Sequence, residues 1–241
     1  MRIITVLFLS LLLCGCPTVG SNNVARVTSD YAATVKKVGL LSLVDDQINI
    51  SYLTASAQES FFSRATLAGW NIDAQVAGIM TPKLKRKGFE VIPIPRNKQL
   101  LSVYDSDFSY AKTERIHEQL ASIAKELGLD LVIVVARHVD IDHVTKTHQK
   151  IRGYGLQKVF DSAAFAYGSI YVEAYDTRKL FVVGKATGFQ SAPLPEGVWQ
   201  SEFESAKGTV AIPDEIHDAV RKVLQKVVGD AVAIAAQEAG V

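Results

Sequence analysis

The feature that most limits the possible folds is an unbroken apolar run at residues 131–135, Leu-Val-Ile-Val-Val. Its β-branched residues favour an extended chain. Because side chains in a strand alternate between the two faces of a sheet, a run that is apolar throughout predicts a strand covered on both faces. Helices packed on a sheet provide such cover, so the run favours an α/β domain over an all-β or an all-helical one.

Two units in which a helix, a glycine and a strand follow one another support this interpretation. In the first, Gly88 separates a helix from an apolar strand at residues 89–94, and in the second Gly128 precedes the run at residues 131–135. Glycine is common just after a helix, so both helices are expected to end there. The helically spaced apolar residues are Ile72, Val76, Ile79, Met80 and Leu84 in the first unit and Ile116, Leu120, Ile123 and Leu127 in the second.

The last turns of the first helix carry a proline and a cluster of cations. Pro82 is expected to kink or split the helix, because proline lacks the backbone N–H and its ring collides with the preceding turn. Positive charge near a helix C-terminus complements the helix dipole. Contact with anionic lipid or with a cell-wall polymer is the alternative role of the cluster. Its members are Lys83, Lys85, Arg86 and Lys87.

Two hairpins are expected in the sheet. Residues 36–44 and 48–53 are extended runs around Asp45-Asp46-Gln47, and short polar side chains favour a turn at that point. A pair of carboxylates for acid–base chemistry is the alternative for Asp45 and Asp46. The second hairpin joins residues 165–176 to residues 180–189, which are rich in β-branched and aromatic residues.

A long amphipathic helix is expected to close the core at the C-terminus. It begins at Pro213-Asp214-Glu215, since proline and acids are preferred at helix starts. Gly229 lies within it and indicates either close packing or a kink. Before it, a loop rich in proline and glycine carries Trp199 and Phe203, which are expected to pack onto the body, with a binding role as the alternative.

The N-terminus has the anatomy of a secretory signal. Arg2 precedes an apolar run at residues 3–13, which as a helix would span roughly 16 Å and is too short to cross a membrane. The run ends in Leu13-Cys14-Gly15-Cys16, which resembles the bacterial lipobox, with Cys14 departing from the usual small residue. The resemblance implies that Cys16 carries a diacylglycerol and an acyl chain. An ordinary secretory signal with an incidental cysteine is the alternative.

Three segments therefore follow one another: a signal peptide at 1–15, a lipidated N-terminus and tether at 16–35, and one α/β periplasmic domain at 36–241. The fold class is α/β with mixed α+β character, a single mixed sheet with helices packed on it and a long C-terminal helix. Cys14 and Cys16 are the two cysteines, so no disulfide is expected in the domain. The chain has 26 basic and 25 acidic side chains, and this balance argues against nucleic-acid partners.

The strongest candidate for chemistry follows the apolar strand at residues 137–143, with His148 nearby. His138, Asp140 and Asp142 share one face of an extended chain, and imidazole with carboxylates binds zinc or another divalent ion. A solvated strand face is the alternative. Motif searches return no nucleophile elbow, no phosphate loop and no H-E-x-x-H metal helix.

The order of elements behind the lipobox resembles the periplasmic lipoproteins related to the curli-secretion lipoprotein and the penicillin-binding-protein activators. The residues that carry the likeness are 37–44, 88–94, 128–135 and 165–189. Those families use this domain to assemble rings or to bind partner proteins. The resemblance implies a non-enzymatic module in the envelope that binds envelope proteins or itself.

The expected location is the outer membrane, facing the periplasm, with the inner membrane as the alternative, because Pro17 stands where a retention signal would carry Asp. No cofactor is expected apart from the lipid on Cys16. A metal-dependent hydrolase that uses His138, Asp140 and Asp142 is the second hypothesis for the function.

Metabolic labelling with a clickable fatty acid tests the assignment of Cys16. We expect the wild type and Cys14→Ser to be labelled and Cys16→Ser to be unlabelled, because the chain contains no other cysteine. Label that persists on Cys16→Ser would contradict the lipobox interpretation.

Overall fold

A computed structural model describes residues 25–54, 60–67, 69–96, 110–141 and 150–241. Within these residues no helix is both long and apolar enough to span a bilayer. The helices are α1 Ser29–Ala32, α2 Ile72–Arg86, α3 Tyr110–Leu127 and α4 Asp214–Ala239, with a 3₁₀ turn at Ser201–Glu204. The strands are β1 Lys37–Leu43, β2 Gln47–Leu53, β3 Phe61–Thr66, β4 Glu90–Ile94, β5 Leu131–Arg137, β6 Val139–Ile141, β7 Lys150–Arg152, β8 Tyr154–Val159, β9 Phe165–Asp176, β10 Phe181–Pro193 and β11 Gly208–Thr209.

Strand β9 is the centre of a mixed sheet with the order β11-β3-β2-β8-β9-β5-β1-β4. One edge of β9 pairs with β10 along its whole length. The other edge is shared, because its first residues pair with β8 and its last residues pair with β5. β6 and β7 form a separate two-stranded ribbon. The long hairpin expected at 165–189 is confirmed as β9 and β10.

The hairpin expected between residues 36–44 and 48–53 is wrong. β1 lies between β4 and β5 and is parallel to both, whereas β2 lies between β3 and β8. The physical reason is burial: β1 is apolar on both faces, so it needs a strand on each side and a helix layer on each face. The Asp45-Asp46 connection therefore crosses from one half of the sheet to the other. Asp45 still makes the local turn bond expected of it, accepting from the N–H of Gln47 at 2.9 Å.

Helices cover the sheet on both faces. α2 and α4 pack on one face, with Val76, Met80, Leu84 and Val220 in the same apolar cluster as the inward residues of β1, β5 and β9. α3 covers the other face of β1, β5 and the end of β9. Every residue of β5 is buried, which confirms the interpretation of the run at 131–135.

The two helix–glycine–strand units are also confirmed. Gly88 and Gly128 have φ values of +87° and +64°, the left-handed conformation of a helix C-cap. α2 runs through Pro82 without a break, so the proline does not split it. The fold class is thus the expected mixed α/β sheet with a long C-terminal helix, while residues 1–15, which are predicted to be a signal peptide, lie outside the described residues.

Close packing of α4 on β9 and β10 depends on glycines. A Cβ on Gly188 would lie 2.0 Å from the carbonyl oxygen of Ala231, so any side chain would push the helix away from the strand. Gly229 faces Gln75 and Ile79 of α2, at 3.3 and 3.4 Å from the Cβ position. Its role is therefore close packing between two helices.

Alanine substitutions at two glycines should have opposite effects on stability. Gly188→Ala is expected to lower the free energy of unfolding by about 1–3 kcal/mol, because the new methyl group overlaps the backbone of α4. Gly78→Ala is the control: nothing lies within 4 Å of its Cβ position, and helical alanine is more stable than glycine by about 1 kcal/mol. Urea unfolding followed by circular dichroism measures both. Equal effects of the two variants would contradict the packing argument.

Candidate functional site

Two of the three expected metal ligands, His138 and Asp140, lie at the junction of β5 and β6. The His138 ring stacks on Tyr171 with centroids 6.2 Å apart, and burial lowers the pKa of His138 although the charge of Asp140 opposes this. Asp140 accepts from the backbone N–H of Ile141 at 2.7 Å. Asp142, His143 and His148 lie outside the described residues. Among the residues that are described, no group of three His, Cys, Asp or Glu side chains converges, and the metal site stays a prediction.

A groove of about 600 Å³ lies between β7 and the outer face of β2 and β3. Arg64, Lys150 and Arg152 line it, and none of its described lining residues is acidic. Neither His138 nor Asp140 is among those lining residues. The electrostatic character of this groove is therefore that of an anion-binding surface and not of a cation site.

Arg137 of the same segment has a structural role. Its side chain is buried and forms an ion pair with Asp45, and the hydroxyl of Tyr154 donates to the Asp45 carbonyl oxygen. Gly153 has a φ of +58°, and a Cβ there would lie 2.4 Å from the Arg137 side chain. These contacts tie the β1–β2 connection to the end of β5. They leave Asp45 engaged in an ion pair, which disfavours the paired-carboxylate alternative.

A buried polar cluster that the sequence did not reveal lies between α3 and β9. The Glu173 side chain is 4% exposed and lies 3.0 Å from His117 Nε2, while Tyr171 donates to it at 2.7 Å. The His117 ring stacks on Tyr175 at 4.4 Å between centroids. The sequence signal that could have predicted this cluster is Glu173 itself, an acidic residue within the otherwise mostly apolar strand β9. Burial, followed by the charge of Glu173 and the hydrogen bond to it, raises the pKa of Tyr171, so the phenol stays a donor.

The aromatic residues of the loop after β10 pack onto the body, as expected. Phe203 is buried, and its ring meets Trp199 edge-on at 5.5 Å. Trp199 Nε1 donates to Glu204 at 3.0 Å, and Lys158 also donates to Glu204 at 2.6 Å. The loop is therefore held to β2 and β8 by its own side chains.

The outer edge of β10 is an open backbone edge. β10 is 13 residues long, and in the described chain no strand pairs with it apart from β9. Between described residues, one backbone hydrogen bond reaches this edge, from Lys185 N–H to the Ala25 carbonyl at 2.7 Å near its start. Since alternate N–H groups of a strand point the same way, those of Thr187 and Ser191 also face outward. The N–H of Ser191 is bonded to the neighbouring Gln190 side chain at 3.2 Å.

The other two edge strands are shorter and carry a charge or a proline within them, whereas Lys185 and Pro193 lie towards the two ends of β10. β4 is five residues long, begins with Glu90 and contains Pro93. β3 is partly covered by β11 and carries Arg64. By contrast, residues 186–192 of β10 contain no charge and no proline. An uncharged edge of about 23 Å is a template for strand pairing with another chain.

The N-terminal segment is fixed to the body by a buried carboxylate. Asp176 is fully buried and accepts from the Tyr31 hydroxyl at 2.6 Å and from the N–H groups of Arg178 and Lys179 at 2.8 and 2.9 Å. Burial alone would raise the pKa of Asp176, but the bonds from Tyr31, Lys179 and Arg178 outweigh burial and lower that pKa. The point at which the chain enters the body is therefore held by charge-assisted hydrogen bonds.

No protein-family model matches the sequence, and no curated protein matches it. A solved structure of a PelC dodecamer from Paraburkholderia phytofirmans is similar at a TM-score of 0.36, with 10% identity over 90% of this chain and 95% of that one. Lipoprotein GNA1162 from Neisseria meningitidis gives 0.34, with 11% identity over 70% and 90%. The LpoB C-terminal domain from Salmonella enterica gives 0.24, with 11% identity over 70% and 96%. TM-scores below 0.5 do not establish a shared fold.

Acid should weaken the protein through Asp176. Its folded pKa lies below that of an unfolded Asp, about 3.9, so its contribution is complete above that pH and is lost as pH falls through the folded pKa. Asp176→Asn is expected to lower the free energy of unfolding at neutral pH by about 1–3 kcal/mol. It should also flatten the pH dependence below about pH 4.

Urea unfolding between roughly pH 2 and pH 7 measures this effect. Asp161→Asn, a substitution at an exposed position, is the matched control and should follow the wild type. A variant at Asp176 that keeps the full wild-type acid dependence would contradict the assignment.

Proposed function

We propose that this chain is a lipid-anchored cell-envelope protein that acts as a non-catalytic binding or assembly module in the periplasm. The observation that carries the proposal is the open edge of β10, which is long and uncharged over residues 186–192. A partner strand gains a ladder of backbone hydrogen bonds by adding to such an edge. The partner is an envelope protein or a second copy of this chain.

The packing around β10 supports this function, because the edge is held in place before a partner arrives. α4 packs closely on the inner face through Gly188. On the other face, Phe189 packs with Tyr167 and Ile151. A rigid edge loses little conformational entropy on binding, so more of the hydrogen-bond energy contributes to affinity.

The proposed anchor is the lipid on Cys16, and the proposed location is the outer membrane with the body facing the periplasm. One acyl chain binds a bilayer only marginally, whereas several chains on one cysteine hold the protein permanently. The nine residue-to-residue steps from Cys16 to Ala25 span at most about 32 Å. The body is therefore held close to the membrane surface, where its partners must also be.

A charge on the β10 edge tests the proposal. Ser191→Lys places a cation on the edge, where lysine opposes strand pairing. We expect native mass spectrometry of the detergent-purified protein, and cross-linking in intact cells, to show complexes that this variant weakens by about fivefold or more, equivalent to one lost hydrogen bond. A complex whose mass is a whole-number multiple of the mass of one chain identifies a second copy as the partner. A complex of any other mass identifies a different envelope protein as the partner.

Ser205→Lys is the matched control, since Ser205 is exposed and lies outside the sheet. Thermal melts of both variants check that the fold is retained. A wild-type protein that is monomeric and captures no partner in cells would contradict the proposed function. Complexes that survive Ser191→Lys unchanged would show that the edge is not the binding surface.

A further inference from the structure

A small cavity lies where the chain enters the folded body. It has a volume of about 370 Å³ and is bounded by the N-terminal segment, the end of α2 and the end of α4. Two cations, Arg26 and Lys87, line it together with the hydroxyl residues Thr28 and Ser29. None of the described residues that line it is acidic. The cavity therefore offers positive charge and hydrogen-bond donors at one place.

Arg26 and Lys87 have no carboxylate partner among the described residues. Neither forms an ion pair with a carboxylate in the described part of the chain, and Lys87 Nζ donates to the carbonyl oxygen of Gly240 at 2.8 Å. Partial burial and the neighbouring charge of Arg26 both lower the pKa of Lys87. Two cations that repel each other are stabilised when an anion binds between them.

The backbone around the cavity is fixed. Val27 N–H donates to the Ala239 carbonyl at 2.9 Å, and Ala25 accepts from Lys185 of β10. Gly240 has a φ of +79°, and a Cβ there would lie 2.5 Å from the Val27 carbonyl oxygen. The backbone that carries Arg26 is thus fixed against the end of α4, to which the Lys87 side chain also donates a hydrogen bond.

Further positive charge lies on the last turn of α2, beside the residues that line the cavity. Lys85 and Arg86 are exposed there, next to Lys87. Lys83 lies one turn earlier, with Nζ 3.4 Å from the Ala233 carbonyl oxygen. We call the group formed by Arg26, Lys85, Arg86 and Lys87 the basic end.

The basic end is also the end of the body that faces the proposed anchor. Arg26 is ten residues from Cys16, so it lies within at most about 36 Å of the acylated residue. Each Lys or Arg side chain near an anionic leaflet raises the occupancy of the protein at the membrane surface roughly fivefold. This attraction falls off within about 10 Å of the surface. Proximity to the bilayer and charge complementarity both favour an anionic lipid headgroup as the ligand of the basic end.

We propose that the basic end binds the phosphate headgroups of anionic phospholipids in the membrane that holds the acylated Cys16. This inference rests on the lipid anchor of the proposed function. Lys185 of β10 contacts the segment that leads to the basic end, and residues 186–192 extend away from it. Docking therefore holds the body upright, with the open edge of β10 pointing away from the bilayer.

The experiment uses the lipidated protein in vesicles of phosphatidylcholine alone, or with about 30 mol% phosphatidylglycerol. The mature chain has no cysteine besides Cys16, so Ser29→Cys takes a single spin label at the rim of the cavity. We expect the label to be about fivefold less accessible to a water-soluble nickel chelate in the anionic vesicles. Arg26→Glu, and salt at about 0.5 M, should each remove the protection.

A spin label at Ser205→Cys is the control and should be equally accessible in both vesicles. Equal accessibility at position 29, in protein that floats with both vesicles, would overturn the docking and leave the anchor intact. Failure of the protein to float with neutral vesicles would overturn the lipid anchor. Protection of the label at position 29 in anionic vesicles would in that case still support lipid binding by the basic end. Protection in neutral vesicles on addition of inorganic phosphate would assign the cavity to free anions and overturn the lipid assignment.

Discussion

Strand β9 is the constraint on which the rest of the structure depends. Its 12 residues pair with β10 on one edge and with β8 and β5 in turn on the other. Its inward residues meet α4, while Tyr175 meets α3. β9 pairs with β5 of the parallel group β4-β1-β5 and with β8 of the group β11-β3-β2-β8. The two groups are therefore joined into one sheet through β9.

Burial of β9 also explains where polar groups are found inside the protein. Glu173 cannot reach water, so it is paired with His117 and Tyr171, since an unpaired buried charge is expensive. Asp176 at the end of the strand is stabilised by Tyr31 and by two backbone N–H groups. Through Asp176 the same strand fixes the N-terminal segment to the body.

The two surfaces assigned to function follow from this arrangement. In the described part of the chain β10 pairs with β9 alone, so no strand there covers its outer edge. The basic end forms where the first described residues meet the last turns of α2 and α4. The proposed lipid anchor and the proposed strand addition at β10 both depend on this one scaffold.

The sequence alone determined the local elements. Glycine after a helix, an apolar run and helical spacing predicted α2, β4, α3, β5 and α4, because these signals depend on the backbone and on burial of the residue itself. The hairpin of β9 and β10 was predicted for the same reason. Strand pairing over long separations was not: β1 and β2 are adjacent in sequence but belong to different halves of the sheet. The cluster at Glu173 was not predicted either, because His117 is 56 residues away from Glu173 in the sequence.

The assignment of Cys16 as the lipidated residue is a prediction from the sequence alone, since the resemblance to a lipobox lies in four consecutive residues. The basic end and the open edge are properties of the tertiary structure. Arg26 and Lys87 are distant in sequence and approach each other because two helices end at the same place. An edge is open or closed according to which other strand pairs there, and that choice is made by the packing of the whole sheet and not by the residues of β10 themselves.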